Sequence, residues 1–213
     1  MAIEKAAATS NFTLNATSDT LVNGMTLTPA AGDYLLYFTV ENFTTTSAVA
    51  GKENIFSVYV GGTIVPHTVR TAQENSSGDD TYTVMCVSCK VSPNGSQAVE
   101  IRYHATSSSN PSIAHEREMD LFPIPATGTD YEQSATGSDT TNSGTYATLG
   151  SMSVTPVAGD YLLTFTTSGG APDNAEMAFK VTVGGTEVAH TLRSFFYESS
   201  FSADEAVFSI ACK

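Results

Sequence analysis

Apolar and polar side chains alternate along several short runs of this chain. Tyr34, Leu36 and Phe38 share one parity of the run GDYLLYFTV, and Phe56, Val58 and Val60 share one parity of FSVYVGG. A period of two places alternate residues on opposite faces of an extended chain, so both runs predict half-buried β-strands. The same reading predicts strands at Thr81 to Val91, Gln97 to His104 and Glu116 to Pro123. About eight strands are expected between Phe12 and Pro123, and no window carries a helical period, so almost no helix is expected.

Two of these runs occur twice. MTLTPAAGDYLLYFT, Met25 to Thr39, returns as MSVTPVAGDYLLTFT, Met152 to Thr166, at an offset of 127. FSVYVGGTIVPHTVR, Phe56 to Arg70, returns as FKVTVGGTEVAHTLR, Phe179 to Arg193, at an offset of 123 that also carries Cys89-Lys90 onto Cys212-Lys213. A repeat of this kind sets the architecture more firmly than propensity does. Differences between the copies mark the faces: Phe56, Val58 and Val60 match Phe179, Val181 and Val183, whereas Ser57 is matched by Lys180, Tyr59 by Thr182 and Tyr37 by Thr164. The unchanged set is therefore assigned to the core and the changed set to solvent. Gly61-Gly62 and Gly184-Gly185 each join two alternating runs, as a tight hairpin requires, and the run from Thr28-Pro29 to Gly32-Asp33 predicts another reversal.

The fold class expected is all-β: two tandem jelly-roll-like sandwiches, the second incomplete. The divisions are an N-terminal arm over 1–11, a first sandwich over 12–125, a Ser/Thr-rich linker and lead-in over 126–145, and a second sandwich over 146–213. The first copy continues past Lys90 into two further strands, while the second halts at the matching Lys213, inside a strand. The expectation is that the natural chain is longer, rather than that a neighbouring subunit fills the gap.

Charge narrows the partners. At 213 residues and a net charge of -13, the surface repels a phosphate backbone, so no nucleic-acid partner is expected. No run is long and apolar enough to span a bilayer, and no hydrophobic leader opens the sequence. Three cysteines, Cys86, Cys89 and Cys212, are too few for a disulfide framework. The triplets at Asn11, Asn42, Asn75 and Asn94 read as chance occurrences in a chain rich in Asn, Ser and Thr.

Candidate chemistry is sparse. Cys86 and Cys89 sit three apart on a strand, hence on opposite faces, which is wrong for a shared metal and favours buried cysteines. His67 with Arg70 recurs as His190 with Arg193, and recurrence in both copies favours a role in the fold over a ligand site. His104 and His115 accompany no activated nucleophile. Acidic groups at Asp79-Asp80, Asp173 to Glu176 and Asp204-Glu205 lack calcium-loop spacing and read as solvated rims. No enzyme activity, cofactor or metal is expected, and no ligand-binding residues are assigned.

The runs GDYLLYFTV, FSVYVGGTIV, QAVEIRY and EREMDLFPI resemble the jelly-roll domains of the C1q and tumour-necrosis-factor type. The wording TPxAGDYLL and VGGT is also similar to virion proteins of tailed bacteriophages, accessory capsid or fibre domains among them. The resemblance spans most of 12–125 and the part of the second copy that is present. It implies a virion protein assembled in the host cytoplasm, trimeric, bound to the major capsid protein or other virion proteins, with no catalytic residues. A capsid decoration or cement protein is the leading expectation, and a receptor- or glycan-binding fibre head the other.

Overall fold

Among the described residues, ten strands form the first half. They are β1 (Glu4–Ala8), β2 (Phe12–Leu14), β3 (Thr20–Leu27), β4 (Tyr34–Thr44), β5 (Glu53–Val60), β6 (Thr63–Ile64), β7 (Arg70–Gln73), β8 (Thr81–Val91), β9 (Val99–Ala105) and β10 (Ser112–Pro123). The computed structural model describes residues 2–44, 52–73, 81–109, 111–126, 131–134, 144–169, 175–196 and 206–212. One sheet runs β1-β10-β4-β8 with β2 also on β10; the other runs β3-β9-β5-β6 with β7 also on β5. All pairs are antiparallel. Apart from β1 with β2 and β5 to β7, consecutive strands of this half alternate between the sheets, which is the winding of a jelly roll.

The alternating parity found in the sequence is the core. Leu36, Phe38, Phe56, Val58, Ile101, Met119 and Leu121 are fully buried between the sheets, and the Phe38 and Phe56 rings meet across them at 6.1 Å. Burial of this kind contributes roughly 1.5–3 kcal/mol per large side chain. Gly61 and Gly62, at φ 57° and 80°, make the hairpin between β5 and β6, because two successive left-handed residues match the twist of the flanking strands.

Two strands differ from their expected extent. The segment read as an arm contains β1, whose Ala6 packs on the core; alanines carry too little apolar area to show as an alternating run. Strand β10 begins at Ser112 rather than Glu116, because the register shifts between Ala114 and Arg117. Such a bulge adds a residue and breaks the period of two. Arg117 turns inward there and is held by the carbonyls of Ser10 (2.7 Å), Asn23 (2.9 Å) and His115 (2.9 Å). Asn42 is buried, so it is no glycan acceptor; Asn75 lies outside the described residues.

The second half contains β11 (Leu163–Gly169), β12 (Glu176–Phe179), β13 (Thr182–Val183), β14 (Thr186–Glu187), β15 (Arg193–Phe196) and β16 (Ala206–Cys212). These are counterparts of β4, β5 with its end, β6, β7 and β8, in the same register. Leu36 faces Cys89 and Leu163 faces Cys212; Phe56 faces Arg70 and Phe179 faces Arg193. The Phe165 and Phe179 rings lie 5.9 Å apart, repeating the Phe38–Phe56 contact. Tyr34 donates to the Ala30 carbonyl at 3.1 Å, and Tyr161 to that of Val157 at 2.9 Å. Residues 147–154, matching β3, form no strand, yet Ser151 at φ 59° keeps the left-handed backbone of Gly24 at 81°. Among the described residues no strand matches β9 or β10.

Candidate functional site

Two surfaces carry side-chain chemistry. The first lies where the copies meet. Strand alternation turns Tyr37, Thr39, Cys86 and Ser88 to the outer face of the β4–β8 sheet, and the same alternation turns Thr166 and Ser209 to the outer face of β11–β16. These faces touch. Arg70 donates through Nη2 to the Thr166 carbonyl at 3.0 Å and hydroxyl at 2.8 Å. The Ser88 amide reaches the Thr166 hydroxyl at 3.3 Å, and the Tyr37 and Ser209 hydroxyls lie 3.3 Å apart. The expectation that Tyr37 faces solvent is therefore corrected: its face of the first copy is the seat of the second.

Burial follows from that seating. Cys86 is buried beneath the second copy and Cys89 points into the sandwich, the opposite faces expected for positions three apart. Burial raises the Cys86 thiol and pushes that of Cys89 up to about 12. Burial therefore favours the protonated thiol at both positions. Desolvation also lowers the Arg70 pKa.

The recurring His and Arg form a turn. His67 and His190 have left-handed backbones, φ 61° and 65°, a region in which histidine is several-fold enriched among non-glycine residues. Arg70 Nη1 donates to the His67 and Val69 carbonyls at 3.0 and 2.8 Å, and Arg193 Nη1 to those of His190 and Leu192 at the same distances. Thr68 and Thr191 complete each turn: each hydroxyl donates to a carbonyl at 2.7 Å and accepts a backbone amide, that of Val58 or Val181, at 3.1 Å. The histidine side chains are exposed and reach none of these bonds. Among the described residues, the first copy's Arg alone has a second use, in the contact with Thr166.

The second surface is the outer face of the β3–β9–β5 sheet. Opposed positions form rows across it: Ile64, Tyr59, Glu100 and Thr26 in one, Ser57, Arg102 and Leu21 in the next. Arg102 donates to Glu100 at 2.7 and 3.0 Å and lies 4.5 Å from the Tyr59 ring centroid. The Tyr59 hydroxyl donates to Asp19, and His104 Nδ1 lies 2.8 Å from the other Asp19 oxygen. The bond from Tyr59 holds the Asp19 carboxyl below its ordinary range, and the same bond raises the Tyr59 phenol. Ser57 and Tyr59 are thus 2% and 8% exposed, not solvent-facing as expected, because Arg102 and Asp19 close over them. Leu21 and Ile64, 37% and 41% exposed, flank the group. Carboxylate, guanidinium and imidazole beside a phenol are groups able to hydrogen-bond a hydroxyl-rich ligand.

Of the other candidates, His104 belongs to this surface and His115 does not. Asp79, Asp80, Asp173, Asp204 and Glu205 lie outside the described residues, while Glu176 opens β12. Among the described residues no cluster of three His, Cys, Asp or Glu is placed to hold a metal. Asp19 and Arg102 were not singled out in the sequence; the signal was an Arg at a polar position of an otherwise alternating strand, one row from a large aromatic on the outer face.

No protein-family model matches the chain, and no curated protein matches it in sequence. Among solved structures, the C-terminal domain of EclA, a sugar-binding protein, is similar over 53% of this chain and 78% of that one, with 16% identity and a TM-score of 0.36. Dimeric latent PorU from Porphyromonas gingivalis is similar over 99% of this chain and 20% of that one, with 9% identity and a TM-score of 0.34. Likenesses of this degree carry no argument about function.

Proposed function

We propose that the chain is a non-enzymatic structural protein of a virus particle, a decoration or cement protein whose sandwich units bury sheet surface against their neighbours. The observation that supports this reading most is the seating of one copy on the outer sheet face of the other through Arg70, Thr166, Tyr37 and Ser209. A module that stacks on its own repeat by a strand face is built for assembly. A stable contact of this type buries about 1,200–2,000 Å² in total, and many weak copies on a closed shell add to a large resistance to bursting. The partner is the major capsid protein or another virion protein, the oligomer a trimer by resemblance, and the net charge of -13 keeps packaged DNA off its surface. Cryo-EM of the purified particle tests this. Many symmetric copies on the shell are expected, and a few copies at a tail or vertex overturn it.

A second reading, a glycan-binding fibre head, is favoured by the Asp19, Tyr59, Arg102 and His104 group on the outer face of the other sheet. Binding to a glycan array that is lost on Tyr59→Phe, with the fold unchanged, is its expected result. A wild-type chain that binds no glycan removes it.

A further inference from the structure

The contact between the copies is narrow and rich in hydroxyls. Tyr37, Arg70, Cys86 and Ser88 of the first copy meet Thr166 and Ser209 of the second. Val84, two residues before Cys86 and on the same face, stays 63% exposed, so the cover stops short of it. Arg70 is the catch of this contact, and an imperfect one. The acceptors of its Nη groups are neutral, backbone carbonyls and the Thr166 hydroxyl, and its Nε is buried with no acceptor among the described residues. Closing the contact strips water from a cation without supplying a carboxylate, which offsets part of what the bonds to Thr166 contribute.

Each copy is held by its own ladders. Strand β4 pairs β8 from Tyr34 to Thr44, and β11 pairs β16 from Leu163 to Gly169; among the described residues no ladder crosses from one copy to the other. The connection is anchored on both sides. The Ile124 amide donates to the Asp33 carbonyl of the first copy at 2.8 Å. In the second, the Val157 amide donates to the Tyr131 hydroxyl at 3.0 Å, and the Tyr131 and Tyr161 rings lie 5.8 Å apart. Tyr131 is seven residues beyond Ile124, a reach of about 23–25 Å at full extension, whereas packed sheets lie about 10 Å apart. Both anchors therefore hold while the faces part.

We propose that the second copy is a reversible cover on the outer β4–β8 face of the first, lifting and reseating while both copies stay folded, with Arg70 and Thr166 as the catch. The lifted state uncovers Tyr37, Arg70, Cys86 and Ser88 together, a polar strand face with one cation, and so presents a docking surface that the closed state withholds. Relative motion is the default for units joined by a contact that is neither large nor hydrophobic. Nothing in this depends on the particle to which the chain belongs.

Cys86 reports the lifting, because it is buried beneath the cover while Cys89 points into the sandwich. The full chain is treated with N-ethylmaleimide, and labelling at each cysteine is timed by peptide mass spectrometry. Cys86 is expected to label on the order of ten- to a thousandfold more slowly than a free cysteine, the range for an open state populated at about 0.1–10%. Its rate is expected to depend little on urea, since lifting exposes little surface. Cys89 is expected to label far more slowly and to accelerate steeply with urea, because it waits for the sandwich to unfold. Thr166→Val weakens the catch while leaving the turn closed by Arg70 intact, and is expected to speed Cys86 labelling about tenfold with Cys89 unchanged. Thr166→Asp offers the guanidinium a carboxylate and is expected to slow it. Cys86 and Cys89 labelling together, with the same urea dependence, overturns the proposal, since the contact then opens only on unfolding. Labelling of Cys86 at the free-cysteine rate overturns it from the other side, because no cover is then seated. An unchanged Cys86 rate in both Thr166 variants also overturns it, by removing the catch.

Discussion

The two copies share their turns, register and cross-sheet aromatic contact, yet differ in what lies around them. Phe38 and Phe56 are fully buried at 6.1 Å; Phe165 and Phe179 keep 5.9 Å while only half-buried. Val60, half-buried, has Val183 as its counterpart, which is 70% exposed. At the glycine hairpins and along the β4–β8 and β11–β16 ladders, local structure therefore follows from the repeated words: the paired glycines set the hairpin, and the ladder sets the register. Burial does not. In the first copy it comes from β9 and β10, which lie beyond the repeated segment, so the same side chains are fully buried in one copy and half-buried in the other.

Removing the same ring from each copy gives the largest test of that difference. Phe56→Ala is expected to cost about 3–5 kcal/mol, since it opens a cavity in a closed core, whereas Phe179→Ala is expected to cost about 1 kcal/mol because the ring is half in water already. Denaturant unfolding of both variants measures this. Equal losses would mean that the second copy has a closed core of its own.

Next in size is the shared arginine. Both copies use it to close the turn, but Arg70 also reaches Thr166. Arg70→Ala is expected to cost about 1.5–3 kcal/mol, the range for hydrogen bonds from a charged donor, and to speed hydrogen exchange in β11 and β16. Arg193→Ala, at an exposed residue, is expected within about 0.5 kcal/mol of the parent. If both behave alike, the contact between copies adds nothing to stability.

Much of the first copy was legible in the sequence, and the reasons for the remainder are physical. Thr81–Val91 is a strand over its full expected length, because Met85, Val87 and Val91 mark one parity of its second half. Strand β1 was hidden by alanine, and the start of β10 by its bulge. Tyr37 and Tyr59 differ between copies and so read as solvent-facing; each is covered by a group from a distant segment, Ser209 in one case and Asp19 with Arg102 in the other. Internal variation marks a face that is free to change, and an interface used once satisfies that condition as well as solvent does. The His67 to Arg70 motif was legible as structural because it recurred, but the left-handed backbone at His67 was not.

That backbone supplies a test in which the copies should agree. Glycine adopts φ near 60° without steric cost, at the expense of a more flexible unfolded chain. His67→Gly and His190→Gly are each expected to gain about 0.5–1 kcal/mol, read as slower exchange at the Val58 and Val181 amides. A gain in one copy alone would show that the turn is not the independent unit its geometry implies.

The smallest effect returns to a difference. Asp19 ties the lead-in of β3 to Tyr59, whereas the matching Tyr146 lies 3.9 Å beneath the Lys180 ammonium. The Asp19 carboxyl titrates below its ordinary value of 3.8 because Tyr59 donates to its ionised form. The unfolded chain thus binds this proton first as pH falls, so the stabilisation is complete above the unfolded value and lost as pH drops through the folded one. Partial exposure keeps it under about 1 kcal/mol. Exchange at the β3 amides is expected to quicken as pH falls below 3.8, relative to the intrinsic rate, and Asp19→Asn to flatten that response. The lead-in of the second copy, held by a cation over a ring, is expected to show no such step; a matching step there would assign the acid response to the sandwich as a whole rather than to Asp19.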